Sequence, residues 1–265
     1  MTTMTENIAK RRKRPTRRRQ AFTEAGYRTA SLIGALLIWE LLVWYSDVPV
    51  YFIPAPSDIG EALWRGADLY ANHYFITLGR TVSAFVIAIL VGITMGTLVN
   101  EIRLVNRTVY PILVSMQSMP KIALAPVVIV WFGFGSLSKI VLGAFAAFFP
   151  IYLNTMHGLK TMDSEQLALM RSLGATRWQT FWKVKLPSAL PFLLAGANIG
   201  IIYATLAVIV GEFIGANSGM GFLIINQSNQ LDTAGVFANI LILSATGLCF
   251  HYGIHYLREK IIFWN

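Results

Sequence analysis

The sequence predicts an all-α, polytopic membrane protein with about six transmembrane helices. Hydrophobic residues make up 55% of its 265 residues and charged residues only 13%, whereas about a quarter of the residues in soluble domains are charged. Several apolar runs reach roughly 20 residues, the length that an α-helix needs to cross a bilayer. Because these runs are continuous rather than alternating, they argue against a β-barrel.

The predicted spans differ in regularity. They cover residues of about 30–45, 75–99, 108–131, 137–156, 192–214 and 234–257. The second contains Gly92 and Gly96, a spacing that lets membrane helices approach closely, and three prolines interrupt the third. Residues 211–235 are rich in Gly and Asn yet still apolar, which predicts a partly re-entrant segment that is buried in protein or lines a cavity.

Positive charge is concentrated at the N-terminus. Residues 1–28 contain nine Lys or Arg and two Glu, in a chain with a formal net charge of +9. Basic residues predominate in the cytoplasmic loops of membrane proteins, so residues 1–28 are predicted to be a disordered cytoplasmic tail that contacts anionic lipid rather than nucleic acid. Residues 29–265 then form the transmembrane domain. With six spans both termini are cytoplasmic, as are residues 100–107 and 157–189, which carry two and five basic residues.

The long polar interruption in the second half of the chain covers residues 163–191 and is cytoplasmic by this topology. Asp163 and Thr176 each precede a Gln by three residues, the spacing of a helix-capping box, and Gly174 between them suits a turn after a helix. Two short helices joined at a glycine are therefore predicted. A charged loop that only sets topology is the simpler alternative, but apolar and aromatic side chains exposed beside a membrane favour burial against a partner.

The spacing around Gly174 carries a family resemblance. Val184 follows Gly174 by ten residues, and the pair Leu186-Pro187 comes directly after Lys185. This spacing resembles the coupling segment of permease subunits of binding-protein-dependent ABC importers, with the pattern Glu-Ala-Ala, three residues, Gly, nine residues, Ile, one residue, Leu-Pro. Ala168 occupies the glutamate position, and Glu165 lies one turn earlier. The segments IPAPSDI, MPKIALAPVVIVWFGFGSLSKI, RSLGATRW and GEFIGANSGMGFLI are also similar, in order, to the nitrate, sulfonate and taurine branch of these permeases.

The resemblance implies a transmembrane domain with a coupling-helix loop at about 160–190, in a chain that is not itself an enzyme. In this family two permease copies form a dimer, two ATPase subunits that bind ATP and Mg hold the cytoplasmic loops, and a soluble binding protein delivers the solute. The implied coupling residues are Glu165, Leu167, Ala168, Arg171, Leu173, Gly174, Arg177, Leu186 and Pro187. The sequence contains no phosphate loop ending in Gly-Lys-Ser or Gly-Lys-Thr, and Cys249, the single cysteine, belongs to no cluster with metal-ligand spacing.

Ionisable residues inside apolar runs are candidates for the transport path. Lys121 in the broken third span and Glu212 at the end of the fifth are the main candidates, and pairing with each other is an equally acceptable structural role for both. Weaker candidates are the polar residues within or near the later spans and the break, namely Gln117, Asn198, Tyr203 and Asn217. Glu40 and Arg80 lie near span ends and are predicted to be interfacial.

These observations predict the permease subunit of an ATP-driven importer in the bacterial inner membrane. Its path would carry a small oxyanion, sulfonate or related organic compound. The main alternative is an ion-coupled secondary transporter or a channel that acts without an ATPase, although the inverted repeats expected of many such carriers are not evident. A membrane scaffold is the third possibility, but it would not require prolines and charged residues inside spans.

Overall fold

A computed structural model describes residues 17–46, 48–161 and 164–262, and within these ranges every regular element is helical. The elements follow one another in this order: α1 (Arg17–Ser46), α2 (Pro56–Arg65), α3 (Ala67–Glu101), α4 (Arg103–Gln117), a 3₁₀ turn (Lys121–Leu124), α5 (Ala125–Phe132), α6 (Ser136–Lys160), α7 (Ser164–Ser172), α8 (Arg177–Thr180), a π-helical turn (Phe181–Lys185), α9 (Leu186–Gly215), α10 (Met220–Asn229) and α11 (Thr233–Ile261).

The membrane-spanning pattern confirms the predicted fold class. Five described helices are long and apolar enough to cross a bilayer, and the bent pair α4 and Lys121–Phe132 brings the number to six if it counts as one span. The two halves of this pair meet at 93°. Pro120 lies at the break, where its missing N–H and fixed φ interrupt a helix, and Pro126 lies in the first turn of α5, where a proline is tolerated.

The centre of the bundle is α6, which packs between α3 and α9. Small residues allow this approach, since a Cβ built on Gly92 or Gly96 would lie 2.8 Å from the side chains of Ile151 or Thr155 on α6. A Cβ on Gly200 of α9 would also lie 2.8 Å from the side chain of Ile151. The three helices therefore contact one another almost backbone to backbone, as membrane helices with small residues do. Ala84, Ala147 and Ala204, one from each helix, are fully buried there.

The N-terminal helix is peripheral. α1 begins at Arg17, so the last part of the segment predicted as a disordered tail is helical, while residues 1–16 lie outside the described residues. Glu40 is not simply interfacial: its carboxylate accepts hydrogen bonds from the backbone N–H and the hydroxyl of Ser57 at the start of α2, at 3.1 and 2.6 Å. This contact attaches α2, an amphipathic helix, to α1.

The close packing of α3 on α6 gives a first prediction. Gly96→Val places a Cβ against Thr155 and only 3.0 Å from the carbonyl oxygen of Tyr152, and overpacking of this kind costs about 1–3 kcal/mol. We expect a lower melting temperature for the purified protein in detergent. Gly79→Val is the matched control, because Gly79 lies on the same helix with no neighbouring atom within 4 Å of its Cβ position. Equal destabilisation by both variants would contradict the packing account.

Candidate functional site

The hairpin from α7 to α8 folds as the sequence predicts. α7 ends in a Schellman motif, in which the N–H groups of Gly174 and Ala175 bond the carbonyls of Arg171 and Met170, both at 3.0 Å. Gly174 has φ +69°, a conformation that costs other L-residues about 1–2 kcal/mol. No atom lies within 4 Å of the position of a Cβ on Gly174. The glycine is therefore required by the backbone turn and not by contacts within the chain.

The second helix of the hairpin leads directly into a membrane span. The Thr176 hydroxyl accepts from the Gln179 N–H at 3.2 Å, and the Gln179 side chain accepts from the Thr176 N–H at 2.9 Å, which forms the predicted capping box. The corresponding cap at Asp163 lies outside the described residues. α8 continues through the π-helical turn into α9 without a break. A movement of the hairpin would thus act directly on α9.

The hairpin exposes apolar surface. Leu169 on α7 and Leu173 directly after it are 60% and 71% exposed, and Trp178 and Trp182 are 70% and 50% exposed. Phe181 instead packs inward with Leu186 on Leu159 and its buried neighbours. Among the predicted coupling residues, the side chains of Glu165, Ala168, Arg171 and Arg177 are exposed, whereas Leu167, Leu186 and Pro187 are half-buried. A cavity of about 380 Å³ lies between α7 and the start of α9 and is lined by residues that include Leu169 and Pro187.

An ion pair fixes the base of the hairpin to the bundle. Lys185 Nζ lies 2.6 Å from Glu101 Oε1 at the end of α3. Both side chains are partly exposed, so the pair orients the hairpin more than it stabilises the fold. The hairpin is consequently tied to α3 and α9, two of the three central helices.

The break in the third span places a lysine beside a cavity. Lys121 Nζ donates to the carbonyl of Gln117 at 2.9 Å and lies 4.6 Å from the centre of the Phe149 ring. Among the described residues no carboxylate pairs with this ammonium group. Lys121 and Tyr203 both line a cavity of about 300 Å³, together with apolar residues of the break, α6 and α9.

Two of the other path candidates, Asn198 and Asn217, lie away from this cavity. Asn198 contacts His251 of α11, with 3.2 Å between Oδ1 and Nδ1, and Asn217 is exposed in the turn before α10. Gln117 is exposed at the break, next to Lys121. The structure therefore brings together Lys121, Gln117 and Tyr203 and leaves the two asparagines apart.

Glu212 has a different partner from the one considered in the sequence. Its carboxylate lies 2.7 Å from Arg80 Nη1, and the side chains of Arg80 and Glu212 are 8% and 0% exposed. The structure therefore contradicts the Lys121–Glu212 pairing that was the structural alternative for both residues, and it buries Arg80 inside the bundle, where an exposed interfacial side chain was expected. Glu212 also accepts from the Thr77 hydroxyl at 2.9 and 3.0 Å. It is thus held inside protein, in a hydrogen-bonded network with α3.

A second buried cation escaped the sequence analysis. Lys139, at the start of the predicted fourth span, is fully buried in the first turn of α6. Its ammonium group donates to the carbonyls of Phe134 and Gly215 at 2.6 and 2.7 Å and so satisfies the C-terminal end of α9. Arg80 could have been found by the criterion that selected Glu212, an ionisable residue inside an apolar run. Lys139 offered a weaker signal by this criterion, because it lies at the very start of a predicted span and follows Ser136 and Ser138.

Three features define the class of the protein as a membrane transport subunit. They are the broken third span, the polar hairpin that continues into α9, and the buried polar network at the other end of α9. The fold resembles that of a chain in an inward-facing structure of the MetNI methionine ABC transporter, with a TM-score of 0.62, 23% identity, and coverage of 71% of this chain and 93% of that chain. At this identity the similarity concerns the fold alone.

The chain belongs to the family described as binding-protein-dependent transport system inner membrane component, whose model matches residues 88–262. It is 35% identical to the formylaminopyrimidine transport permease protein ThiX of Halalkalibacterium halodurans, over 89% of this chain and 95% of ThiX. It is 30% identical to the putative aliphatic sulfonates transport permease protein SsuC of Bacillus subtilis, over 96% of this chain and 92% of SsuC. The protein is therefore a permease subunit of a binding-protein-dependent ABC importer, multi-pass in the inner membrane, and the predicted family resemblance is confirmed.

The Arg80–Glu212 pair gives a second prediction. Arg80→Met leaves the Glu212 carboxylate buried without its cation, which costs about 3–5 kcal/mol, and we expect a large fall in the melting temperature of the detergent-solubilised protein. The double variant Arg80→Met/Glu212→Gln should recover part of this loss, because no uncompensated charge then remains in the bundle.

The matched control for this prediction is Arg65→Met. Arg65 pairs with Glu61 on the surface of α2, where both side chains are more than half exposed, and such pairs contribute little. We expect its melting temperature to equal that of the wild type. A double variant less stable than Arg80→Met alone would show that charge compensation is not what the pair supplies.

Proposed function

We propose that this permease is driven by two ATPase subunits that dock on the α7–α8 hairpin and use ATP with Mg. The observation that carries this proposal is the exposure of Leu169, Leu173 and Trp178 on an element continuous with α9. A short rigid helix of this kind, seated in a groove of a partner, converts closure of that partner into movement of the attached span. The absence of a phosphate-binding loop from the sequence agrees with an ATPase on separate chains.

Ala168 in place of the family glutamate shifts the expected docking contact. Leu169 and Leu173 supply the apolar part of the contact, and the exposed guanidinium groups of Arg171 and Arg177 face outward around them. Contacts of this composition are typical of the buried centre and charged rim of protein interfaces. The basic residues here and in the N-terminal segment favour a cytoplasmic position for the hairpin and for both termini.

The working unit in this proposal is a homodimer to which a soluble binding protein delivers the solute from the outer side. The exposed middle of α9, with Ile199, Ile202, Tyr203 and Leu206 between 42% and 50% exposed, borders the cavity at Lys121 and is the face we assign to the path between two copies. Family membership decides against the alternative of an ion-coupled carrier or channel that acts alone. A scaffold role is equally disfavoured.

The proposed solute is a small oxyanion, sulfonate or related organic compound. The names of the two relatives cover a formylaminopyrimidine and aliphatic sulfonates, and both kinds of compound carry hydrogen-bond acceptors on a compact organic body. Lys121 and Tyr203 offer hydrogen-bond donors in an otherwise apolar cavity. An ammonium group at membrane depth without a carboxylate partner is costly, and a solute with a partial or full negative charge would offset that cost as it passes.

The third prediction tests the docking proposal. Gly174→Trp adds a bulky side chain to the exposed turn, where the Cβ position has no neighbouring atom within 4 Å, and this side chain would obstruct a partner's groove. We expect loss of ATP-dependent uptake in vesicles that contain the complete transporter, with the permease still present in the membrane. Gly26→Trp, on α1 at a position equally clear of neighbours, should transport normally.

Two outcomes would contradict the docking proposal. The first is wild-type uptake in vesicles that contain the permease but no ATPase. The second is normal assembly and transport by Gly174→Trp. Gly174→Ala separates the two effects of the substitution, because a methyl group strains the turn by about 1–2 kcal/mol without filling a groove, and it should retain most of the uptake.

The fourth prediction concerns the path. Lys121→Gln removes the ammonium group but keeps a hydrogen-bond donor, and we expect slower uptake with unchanged assembly and basal ATP hydrolysis. Lys160→Gln is the matched control, since Lys160 also lies over an aromatic ring, Tyr110, at 5.5 Å, but at the exposed end of α6. An equal effect of both substitutions on uptake would exclude a specific role for Lys121.

A further inference from the structure

The start of α10 is held by side chains of other helices. Three successive backbone N–H groups, those of Gly219, Met220 and Gly221, bond His73 Nδ1, Thr77 Oγ1 and Glu212 Oε2 at 2.9, 2.7 and 2.9 Å. The N-cap residue is Gly219, which has no side chain with which to cap its own helix. The unpaired donors that every helix start presents are thus satisfied by α3 and α9. We call His73, Thr77, Arg80 and Glu212 the α10 clamp.

Two glycines fit α10 closely against the Glu212 carboxylate. Gly219 has φ +110°, and a Cβ there would collide with the carboxylate itself. A Cβ on Gly221 would lie 2.6 Å from the carbonyl oxygen of Ile209 and 2.7 Å from Glu212 Cβ. Backbone therefore rests directly on α9, without an intervening side chain that could adjust. A displacement of α9 relative to α10 would break these contacts rather than stretch them.

Arg80 extends the clamp to the preceding turn and to α6. Its Nη1 donates to Glu212 at 2.7 Å and to the Ser218 carbonyl at 2.8 Å, and its Nη2 donates to the Ser218 hydroxyl at 3.2 Å. Its Nε donates to the Ser136 hydroxyl at 3.1 Å. One guanidinium group thereby joins α3, the start of α6, α9 and the turn that leads into α10.

The hairpin lies at one end of α9 and the α10 clamp lies at the other, and transport must connect the two. The helix runs from Leu186, directly after the hairpin, to Gly215 beside the clamp. At 1.5 Å per residue, its 30 residues extend about 45 Å. Glu212 lies in the last turn of this helix, on the same rigid element that begins at the base of the hairpin. Movement of the hairpin consequently reaches Glu212 without passing through a loop.

We propose that Glu212 is a positioning residue which keeps α10 attached to α9 during transport, so that displacement of the hairpin is delivered to residues 216–232 at the opposite end of the bundle. Arg80 neutralises and orients the carboxylate, while Thr77 and His73 complete the cap on α10. This inference rests on the proposed ATP-driven function, because it assumes that the hairpin is moved by ATPase subunits. According to this inference, the clamp helps to determine how much solute is transported per ATP hydrolysed, in addition to its contribution to folding.

The test is Thr77→Val in the complete transporter, reconstituted in vesicles with its ATPase subunits and binding protein. The Thr77 hydroxyl accepts from the Met220 N–H and donates to Glu212, and valine removes both contacts while it conserves shape and leaves the Arg80–Glu212 pair intact. We expect the solute taken up per ATP hydrolysed to fall about thirtyfold, the factor that corresponds to two lost hydrogen bonds of about 1 kcal/mol each. ATP hydrolysis and the amount of assembled complex should stay near the wild-type level.

Thr205→Val is the matched control. Thr205 is a half-buried threonine of α9 whose hydroxyl bonds only the Ile201 carbonyl of its own helix, at 2.8 Å. Its ratio of uptake to hydrolysis should equal that of the wild type. His73→Phe provides a second variant should Thr77→Val not assemble, because it keeps the ring packing on Phe222 and removes only the acceptor for the Gly219 N–H. We expect a lower ratio for this variant as well.

The outcomes separate this inference from the function on which it rests. If the wild-type complex shows no ATP-driven uptake, the proposed function fails. If the wild type transports and an assembled clamp variant keeps the wild-type ratio, with changes only in stability, the clamp is structural and the inference is overturned. A lower ratio in the clamp variants but not in Thr205→Val supports it.

Discussion

The buried ion pair between Arg80 and Glu212 is the interaction on which the polar end of the bundle depends. A charge in an apolar bundle persists only when a partner and hydrogen bonds replace its hydration, and here both are supplied by three parts of the chain that are distant in sequence. Arg80 comes from α3 and Glu212 from α9. Ser136 and Ser218 accept further bonds from Arg80, and Thr77 and the Gly221 N–H donate to Glu212. The cost of leaving either charge alone explains why these segments must meet in one arrangement. The bond from the Gly221 N–H joins the pair directly to the cap of α10.

The central packing of α6 determines which movements are available to the chain. Helices that touch through glycine and alanine, as α3, α6 and α9 do at Gly92, Ala147 and Gly200, slide or separate only with loss of many close contacts, since tightly packed interiors deform little. The exposed faces of α4 and α5 are not restricted in this way, and the helix is already interrupted between them, where the two segments meet at 93°. We therefore expect α3, α6 and α9 to move together as one body. The chain would bend at the two edges of this body, at the break near Pro120 and at the turn of the hairpin at Gly174.

The sequence was sufficient for features that depend on local chemistry. The turn at Gly174 and the cap at Thr176 follow from residue types a few positions apart, and the spans follow from hydropathy. It was insufficient where the outcome depends on which way a helix faces. Arg80 lies near the predicted end of a span, and nothing along the chain indicates that its side chain points inward to Glu212, 132 residues later. Lys139 was missed for the same reason, because its partners are two carbonyl groups brought together only by tertiary packing. The π-helical turn before α9 had no recognisable signature either.

The contrast between Lys121 and Glu212 follows from the same physical rule. Both are ionisable residues within apolar segments, but Glu212 is enclosed by a cation, a hydroxyl and a backbone N–H, whereas Lys121 has one carbonyl and one aromatic ring beside a cavity. A fully satisfied group has no capacity left for a solute, so Glu212 belongs to the machinery that holds helices together. An ammonium group has three donors, and among the residues that the structure describes one acceptor, the Gln117 carbonyl, meets those of Lys121. This difference in hydrogen bonding is the reason why we propose the solute path at Lys121 and the transmission of movement at Glu212.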